Sequence, residues 1–180
     1  MTKNSIETPR LILREIVLED AERLFLLDSN AEVMKFIGVP VANGLSETDE
    51  NIRKIRKQYE ENGIGRWAVI EKDSGLLIGW SGLKYLTEEI NGHKNIYDLG
   101  YRFLPEFWGK GYATESAKAF LDYSFNTLNF PAIYAHAHCR NDDSNKILKK
   151  IGFRQTEKFV DDLDGAECFW YELKKEDYKQ

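Results

Sequence analysis

Several features of extracellular, membrane and nucleic-acid-binding proteins are missing from this chain of 180 residues. It has 2 cysteines, Cys139 and Cys168, and they form no CxxC pair, so we expect reduced thiols and no disulfide framework. No run approaches about 20 consecutive apolar residues, the length that spans a bilayer. Residues 1–15 lack the uninterrupted apolar stretch of a signal peptide. The sequence therefore predicts a cytoplasmic protein with no membrane partner.

A basic excess is missing as well. The chain has 25 Lys and Arg against 30 Asp and Glu, a formal net charge of −5. Because proteins dedicated to nucleic acids carry a basic footprint, we expect no nucleic-acid partner. Hydrophobic residues nevertheless make up 42% of the chain and aromatic residues 13%, which is enough for a core. With 4 Pro, no Ser/Gly-rich linker and no internal repeat, residues 1–180 are predicted to form a single domain.

The first half of the chain has the apolar spacing of antiparallel strands and two helices. One helix is predicted to begin at Ser46, whose hydroxyl would act as N-cap with Asp49 three residues on, and to end at Gly63. The turn Asp73-Ser74-Gly75 favours an antiparallel hairpin. The predicted strands cover residues 10–16, 67–71, 76–86 and 96–104, and the predicted helices cover 18–28 and 46–63.

In the second half, strands alternate with helices. A helix over 113–128 separates the strand 96–104 from a strand over 132–139, which demands a right-handed crossover and a parallel strand pair. A short helix over 142–151, ended by Gly152, precedes two strands that pair over 153–160 and 166–173. The sequence thus predicts an α/β fold with a mixed, mostly antiparallel sheet, a parallel central strand pair and flanking helices.

The most informative motif is Trp108-Gly109-Lys110-Gly111-Tyr112-Ala113-Thr114, between a predicted strand and a predicted helix. Two glycines let the backbone approach a bulky anion, and the helix start adds free N–H donors, so the motif suits a pyrophosphate. It has neither the GxxxxGK[ST] nor the GxGxxG spacing. Taken alone, it is equally consistent with a tight turn that binds nothing.

A second helix start reaches the same edge of the sheet. Asn141 to Ser144 open the helix that follows the neighbouring parallel strand, and these residues alone are ordinary N-cap chemistry. Ligands of such sheets bind at the carboxyl ends of the strands. Two helix starts at one crevice therefore indicate a nucleotide-like ligand.

The run from Asp98 to Glu115 resembles the acetyl-CoA-binding core of the GNAT superfamily of N-acetyltransferases. It is most similar to the ribosomal-protein N-terminal acetyltransferase (RimJ/RimL-like) branch, and residues 8–14 and 141–153 fit that branch in the same order. The resemblance implies the GNAT (acyl-CoA N-acyltransferase) fold, acetyl-CoA as the acetyl donor and no metal.

The resemblance also implies residues that contact acetyl-CoA. Gly111 and Ala113 match the family's phosphate loop, Q/R-x-x-G-x-G/A, while Trp108 replaces its polar first residue. The segment Phe103-Leu104 would pair with the pantetheine arm, with the Phe103 N–H polarising the thioester carbonyl. The implied cofactor-binding residues are Phe103, Leu104, Trp108, Gly109, Lys110, Gly111, Tyr112, Ala113, Thr114 and Asn141, and Lys110, Lys146 and Lys149 are candidates for the outer phosphates.

Two catalytic roles remain to be assigned, because the amine must lose a proton and the CoA thiolate needs a hydrogen-bond donor. Many family members carry a Tyr where this chain has Leu148, so Ser144 becomes the candidate that hydrogen-bonds the sulfur, unless it is only a first-turn hydroxyl. For the base, Asp98 is preferred over Glu71, and a water relay would also serve. His136 and His138 lack a third ligand at metal-site spacing, so they are interpreted as a polar strand face.

The sequence predicts an enzyme that transfers the acetyl group of acetyl-CoA to a primary amine in a ternary complex. A protein N-terminal α-amine is the first candidate acceptor, and a small-molecule amine (a polyamine or aminoglycoside) is the second. The acids Glu88, Glu89 and Asp98 fit a cationic acceptor. A non-catalytic acyl-CoA-binding module is the alternative from another class. The sequence leaves open whether the protein is a monomer or a homodimer.

Overall fold

A computed structural model describes residues 5–179 of the protein, so residues 1–4 and 180 of the predicted domain lie outside the described part. The strands are β1 (Ser5–Glu7), β2 (Leu11–Glu15), β3 (Arg66–Glu71), β4 (Leu77–Leu86), β5 (Ile96–Phe103), β6 (Ala132–His138), β7 (Arg154–Val160) and β8 (Glu167–Lys174). The helices are α1 (Ala21–Asp28), α2 (Ala31–Met34), α3 (Leu45–Asn62), α4 (Tyr112–Asp122) and α5 (Asp142–Lys150).

These strands form one sheet in the order β1-β2-β3-β4-β5-β6-β8-β7. Every neighbouring pair is antiparallel except β5 and β6, which are parallel and joined through α4. The mixed sheet with one parallel pair confirms the predicted fold class. The hairpin predicted at residues 73–75 is also confirmed, with Gly75 in the left-handed region at φ 68°.

Two helix predictions need correction. Helix α3 begins at Leu45 with Gly44 as its N-cap, so Ser46 lies inside the first turn and does not cap the helix. The helix start is set instead by Glu47, which accepts the Asn43 N–H, and by Thr48, which donates to Asp28 of α1. The helix predicted over 18–28 has a 3₁₀ turn at Leu18–Asp20 before α1 begins.

The two faces of the sheet carry separate apolar cores. Helices α4 and α5 cover one face, where Phe120 and Leu148 belong to the cluster that includes Leu99, Phe103 and Ile133. Helices α1 and α3 cover the other face, where Leu24 and Ile52 pack with residues of the sheet such as Ala68 and Leu77. No helix within residues 5–179 has both the length and the apolar character needed to cross a membrane.

The parallel pair β5 and β6 separates soon after it forms. The two strands are in register only at Asp98 opposite Tyr134, although β5 continues to Phe103 and β6 to His138. Over the same stretch β6 pairs with β8 along its full length. The result is a gap between residues 99–103 and 135–138, which we call the wedge. It opens towards the end of the sheet where α4 and α5 begin.

Candidate active site

The glycine motif forms a loop at the open end of the wedge. Gly109 and Gly111 have φ values of 72° and 84°, in the left-handed region that favours glycine, and Gly111 is the N-cap of α4. The amides of the first helical turn have no intrahelical acceptor. With the positive end of the helix dipole, they can hold an anion such as pyrophosphate.

An N-terminal segment braces this loop. Arg10 donates from Nη1 to the Lys110 carbonyl over 2.9 Å, and its Nε donates to Glu115 over 2.7 Å. Thr8 donates its hydroxyl to the same carboxylate over 2.6 Å. Burial alone would raise the pKa of Glu115, but the hydrogen bonds from Thr8 and Arg10 outweigh it and the pKa is lowered. The opening motif of the sequence therefore shapes the loop, a contact between residues 100 positions apart that the sequence analysis missed.

Trp108, which replaces the family's polar residue, has a structural contact of its own. Its indole Nε1 donates to the Phe103 carbonyl over 2.7 Å, while 48% of the residue remains exposed. The Leu104 N–H is committed to β4, because it donates to the Ile78 carbonyl over 3.0 Å. Backbone groups alternate sides along a strand, so the N–H groups of Tyr101 and Phe103 point away from β4, into the wedge. The Leu104 amide is thus not available there.

The second helix start lies across the wedge from this strand. Asn141 caps α5 by accepting the Ser144 N–H over 3.2 Å. The Ser144 hydroxyl lies 3.2 Å from the Tyr101 hydroxyl of β5. Burial raises the pKa of Tyr101, so the phenol is held protonated. Sequence reasoning missed Tyr101, because only the fold shows which side of β5 faces α5. Leu148, at the position of the family Tyr, is buried in the core.

The two candidate bases lie in different places. Asp98 is buried beside the start of the wedge, where Arg66 Nη2 lies 2.5 Å from one carboxylate oxygen. Burial opposes ionisation of this carboxyl, but the charges of Arg66 and His136 outweigh it and the pKa of Asp98 is lowered. Glu71 ends β3 beside the glycine loop, where it accepts hydrogen bonds from Tyr112 and Ser74. Glu71 is therefore next to the expected phosphate site and apart from Asp98.

A cleft of about 640 Å³ opens on the face of the sheet covered by α1 and α3. Its floor is Trp80, whose ring lies 5.2 Å from the Arg66 guanidinium and 5.0 Å from that of Arg102. Arg102 donates to Asp28 over 3.1 Å, and burial lowers the pKa of Arg102 to about 10. The Nε of Arg102 is buried without a hydrogen-bond partner.

Basic side chains outnumber acidic ones in this cleft. The lining includes the basic residues Lys54, Lys57, Arg66, Lys84 and Arg102, and the acidic residues Asp28, Glu47 and Glu61. Glu88, Glu89 and Asp98, which the sequence analysis assigned to a cationic acceptor, do not line it. Glu88 and Glu89 are exposed on the loop after β4.

The other candidate residues from the sequence lie in surroundings that do not indicate a ligand site. Lys146 and Lys149 are exposed on α5, and both cysteines are free thiols. In the described part of the chain, no three His, Cys, Asp or Glu side chains cluster as a metal site.

Comparison with known proteins identifies the family. The model of the acetyltransferase (GNAT) domain matches residues 10–154. The chain is 33% identical over 150 residues to the uncharacterized N-acetyltransferase YoaA of Bacillus subtilis, covering 83% of this chain and 82% of YoaA. It is 31% identical over 142 residues to the spermidine N(1)-acetyltransferase of Escherichia coli K12, covering 78% and 71%. A GNAT-family acetyltransferase structure from Bacillus anthracis superimposes with a TM-score of 0.80 at 25% identity, covering 96% of this chain and 99% of the other.

Proposed function

Since this chain belongs to the GNAT acetyltransferase family, we propose that it transfers the acetyl group of acetyl-CoA to the α-amine of a protein N-terminus. Transfer of an acetyl group to an amine is the activity that family membership supports. The protein N-terminus, as in the RimJ/RimL-like branch, is the narrower step proposed here. The observation that carries the proposal is the open cleft beside the wedge, in which Asp28 and Glu61 are ion-paired and therefore not free to bind a polycation.

The wedge is proposed as the site of the donor. A pantetheine arm laid between β5 and β6 would act as an added strand, with its amides facing the N–H groups of Tyr101 and Phe103. One of these N–H groups would polarise the thioester carbonyl and stabilise the oxyanion of the tetrahedral intermediate. The loop from Trp108 to Thr114 would hold the pyrophosphate, and the Asn141 amide would bond the arm from the other side.

Ser144 is proposed to stabilise the departing thiolate. Its hydroxyl lies at the N-terminus of α5, where the helix dipole favours negative charge. The Tyr101 phenol lies 3.2 Å from Ser144 Oγ and adds a second hydroxyl proton that can be donated at this position. Two linked hydroxyls can therefore take the place of the tyrosine that Leu148 replaces.

The cleft favours a peptide N-terminus over a polyamine as acceptor. A polyamine carries several positive charges and needs free carboxylates to bind it. Here Asp28 is paired with Arg102, Glu61 lies 3.4 Å from Lys57, and Glu47 accepts a backbone N–H. A peptide brings one ammonium at its end and uncharged backbone groups behind it, so it needs fewer free carboxylates than a polyamine does.

A polyamine is the second candidate, because a relative is named as a spermidine N(1)-acetyltransferase. The non-catalytic module considered from the sequence has less support, because the relatives are named N-acetyltransferases.

The deciding experiment is free-thiol release from acetyl-CoA with N-terminal peptides, spermidine and an aminoglycoside as acceptors. We expect turnover with peptides, with acidic residues behind the N-terminus preferred. Higher kcat/KM for spermidine than for every peptide would contradict the proposed acceptor. If no amine is turned over while calorimetry shows tight CoA binding, the result would support the non-catalytic binding module.

A further inference from the structure

Three side chains that the donor site does not use meet at the start of the wedge. His136 of β6 lies between two carboxylates: its Nδ1 is 3.4 Å from Asp98 Oδ1, and its Nε2 is 3.9 Å from Asp161 Oδ2. Asp161 follows β7 and is held by a hydrogen bond from its own N–H to the Ala166 carbonyl. Asp98 is fixed in turn by its ion pair with Arg66.

The two ring nitrogens of His136 have different surroundings. Nδ1 is sealed from solvent, makes no hydrogen bond within the described residues, and lies 3.4 Å from the Asp98 carboxylate. Nε2 makes no hydrogen bond with any residue in the range 5–179, and it is not among the sealed atoms; 28% of the side chain is exposed. A carboxylate behind Nδ1 keeps the proton of a neutral imidazole there, which leaves the Nε2 lone pair free to accept another.

His136 also lies on the acceptor side of the sheet. Ile133, Ala135 and Ala137 of β6 pack under α4 and α5, so His136 points to the opposite face. That face carries the cleft, and His136 lies outside the lining of the cleft, at the start of the wedge. Asp98 lies opposite Tyr134, two residues before His136, and the His136 ring lies against the Asp98 carboxylate. Its ring is therefore at the start of the wedge that is proposed to hold the pantetheine arm.

We infer that His136 is the catalytic base that deprotonates the acceptor, an assignment that rests on the proposed acetyltransferase function. Nε2 takes one proton from the acceptor ammonium, and the freed lone pair on nitrogen forms the C–N bond to the thioester carbonyl. Collapse of the intermediate breaks the C–S bond, and the second proton of the nitrogen passes to the CoA thiolate. The His136 imidazolium then releases its proton to solvent. Asp98 acts through the imidazole and is a positioning residue.

The groups around the ring set its response to pH. Asp98 on β5, Asp161 beyond β7 and Arg66 on β3 are the charged groups that face it, and Trp170 of β8 stacks on it with 6.2 Å between ring centroids. Burial acts to lower the pKa of His136, but the neighbouring carboxylates of Asp98 and Asp161 outweigh it and the pKa is raised above 6.5. Because the base must be neutral, kcat/KM should rise as pH increases through this pKa.

The test compares His136→Ala and His136→Gln with a matched control, His93→Gln. His93 stacks on Trp170 with its ring centroid 5.0 Å away and faces neither carboxylate. Acetylation of an N-terminal peptide is followed between about pH 5 and 9, the range in which histidine titrates. Each protein is also checked for CoA affinity by calorimetry and for thermal unfolding. Imidazole is then added to the His136→Ala variant.

We expect both His136 variants to lose about 10²- to 10⁴-fold in kcat/KM with CoA affinity unchanged. The rising pH limb should disappear, imidazole should restore part of the rate to His136→Ala, and His93→Gln should retain the wild-type profile. Retention of the rate within threefold, or an unchanged pH limb without rescue, would overturn the assignment. If the variants fail to fold, the pH profile of the wild-type protein still tests the assignment. A wild-type kcat/KM that does not rise with pH over this range would overturn it. Wild-type inactivity towards every amine would instead contradict the proposed function.

Discussion

The hydroxyl of Tyr101 lies 3.2 Å from that of Ser144, so a strand and a helix start from distant parts of the chain share one hydrogen bond at the wedge. Tyr101 also donates towards the Ser144 carbonyl over 3.3 Å. The pair joins the strand proposed to hold the thioester to the helix proposed to stabilise the leaving sulfur. Its two members can therefore be tested as one unit.

Removing either hydroxyl should slow turnover without weakening donor binding. For Ser144→Ala and Tyr101→Phe we expect kcat to fall about tenfold, equivalent to ~1.4 kcal/mol, the scale of one hydrogen bond. The double variant should lose less than the product of the two single losses, since the residues share one interaction. Steady-state kinetics and CoA calorimetry measure this, with the exposed Ser46→Ala as control. Full turnover of Ser144→Ala would remove Ser144 from the mechanism.

The glycine loop offers a matched pair of substitutions. Gly109 and Gly75 have φ values of 72° and 68°, and a Cβ at either would meet no atom within 4 Å. Gly109→Ala and Gly75→Ala should thus each cost about 1–2 kcal/mol of unfolding free energy from the left-handed backbone alone. Only Gly109→Ala should weaken CoA binding, because it reshapes the anion loop. Denaturant unfolding and calorimetry separate the two effects, and equal CoA affinity in both variants would contradict the phosphate assignment.

The contacts of Thr8 and Arg10 with Glu115, which support the glycine loop, should depend on pH. The pKa of Glu115 is lowered in the folded protein, so its stabilising effect is present above its ordinary value of 4.5 and is lost as pH falls through the folded pKa. We expect Glu115→Gln to lower Tm at pH 7, with the difference from wild type shrinking as the medium is acidified below 4.5. Glu50→Gln, which removes an exposed pair with Lys54, should leave Tm nearly unchanged at every pH. A difference for Glu115→Gln that persists in acid would show that the bond does not need the charge.

The charge of the cleft should control the choice of acceptor. Lys84 is exposed at the cleft and forms no ion pair within the described residues. Lys84→Glu should lower kcat/KM for acidic N-terminal peptides and raise it for spermidine, each by a few-fold, because exposed charges contribute about 0.2–1 kcal/mol. The effect should shrink at high salt. The matched substitution Lys118→Glu, on α4 and away from the cleft, should change neither. A selectivity unaffected by Lys84→Glu would indicate that cleft charge does not choose the acceptor.

Hydrophobic periodicity predicted most of the fold, because the apolar residues that a strand or helix buries on one face recur with the period of that element. Ile133, Ala135 and Ala137 are buried as their period of two requires, and Gly63 ends α3 in the left-handed region. Ser46 was predicted as a cap from local chemistry alone, and the contact of Thr48 with Asp28 shifted the helix start.

The site was harder to predict, because its contacts join residues far apart in sequence. The glycine motif was visible as a string of residues, but its brace by Arg10 crosses 100 positions. His136 was interpreted as a polar strand face, because a single sequence does not show that Asp98 of another strand faces its ring. The direction of the Tyr101 side chain likewise depends on the strand order of the sheet.

Because β5 and β6 share a single register pair, a donor bound as proposed would become a structural component of the sheet. Strands β1 to β5 and strands β6 to β8 are two blocks whose backbones are in register along this line at Asp98 and Tyr134, and side-chain contacts such as that of Asp98 with His136 also cross it. A pantetheine arm in the wedge would form hydrogen bonds where β5 and β6 do not pair, and would so link the two blocks. Donor binding should then stabilise the fold by about 2.7 kcal/mol at a hundredfold excess over Kd, and slow amide exchange on both sides of the wedge at once. The cell's supply of acetyl-CoA would thus set the rigidity of this protein as well as its rate.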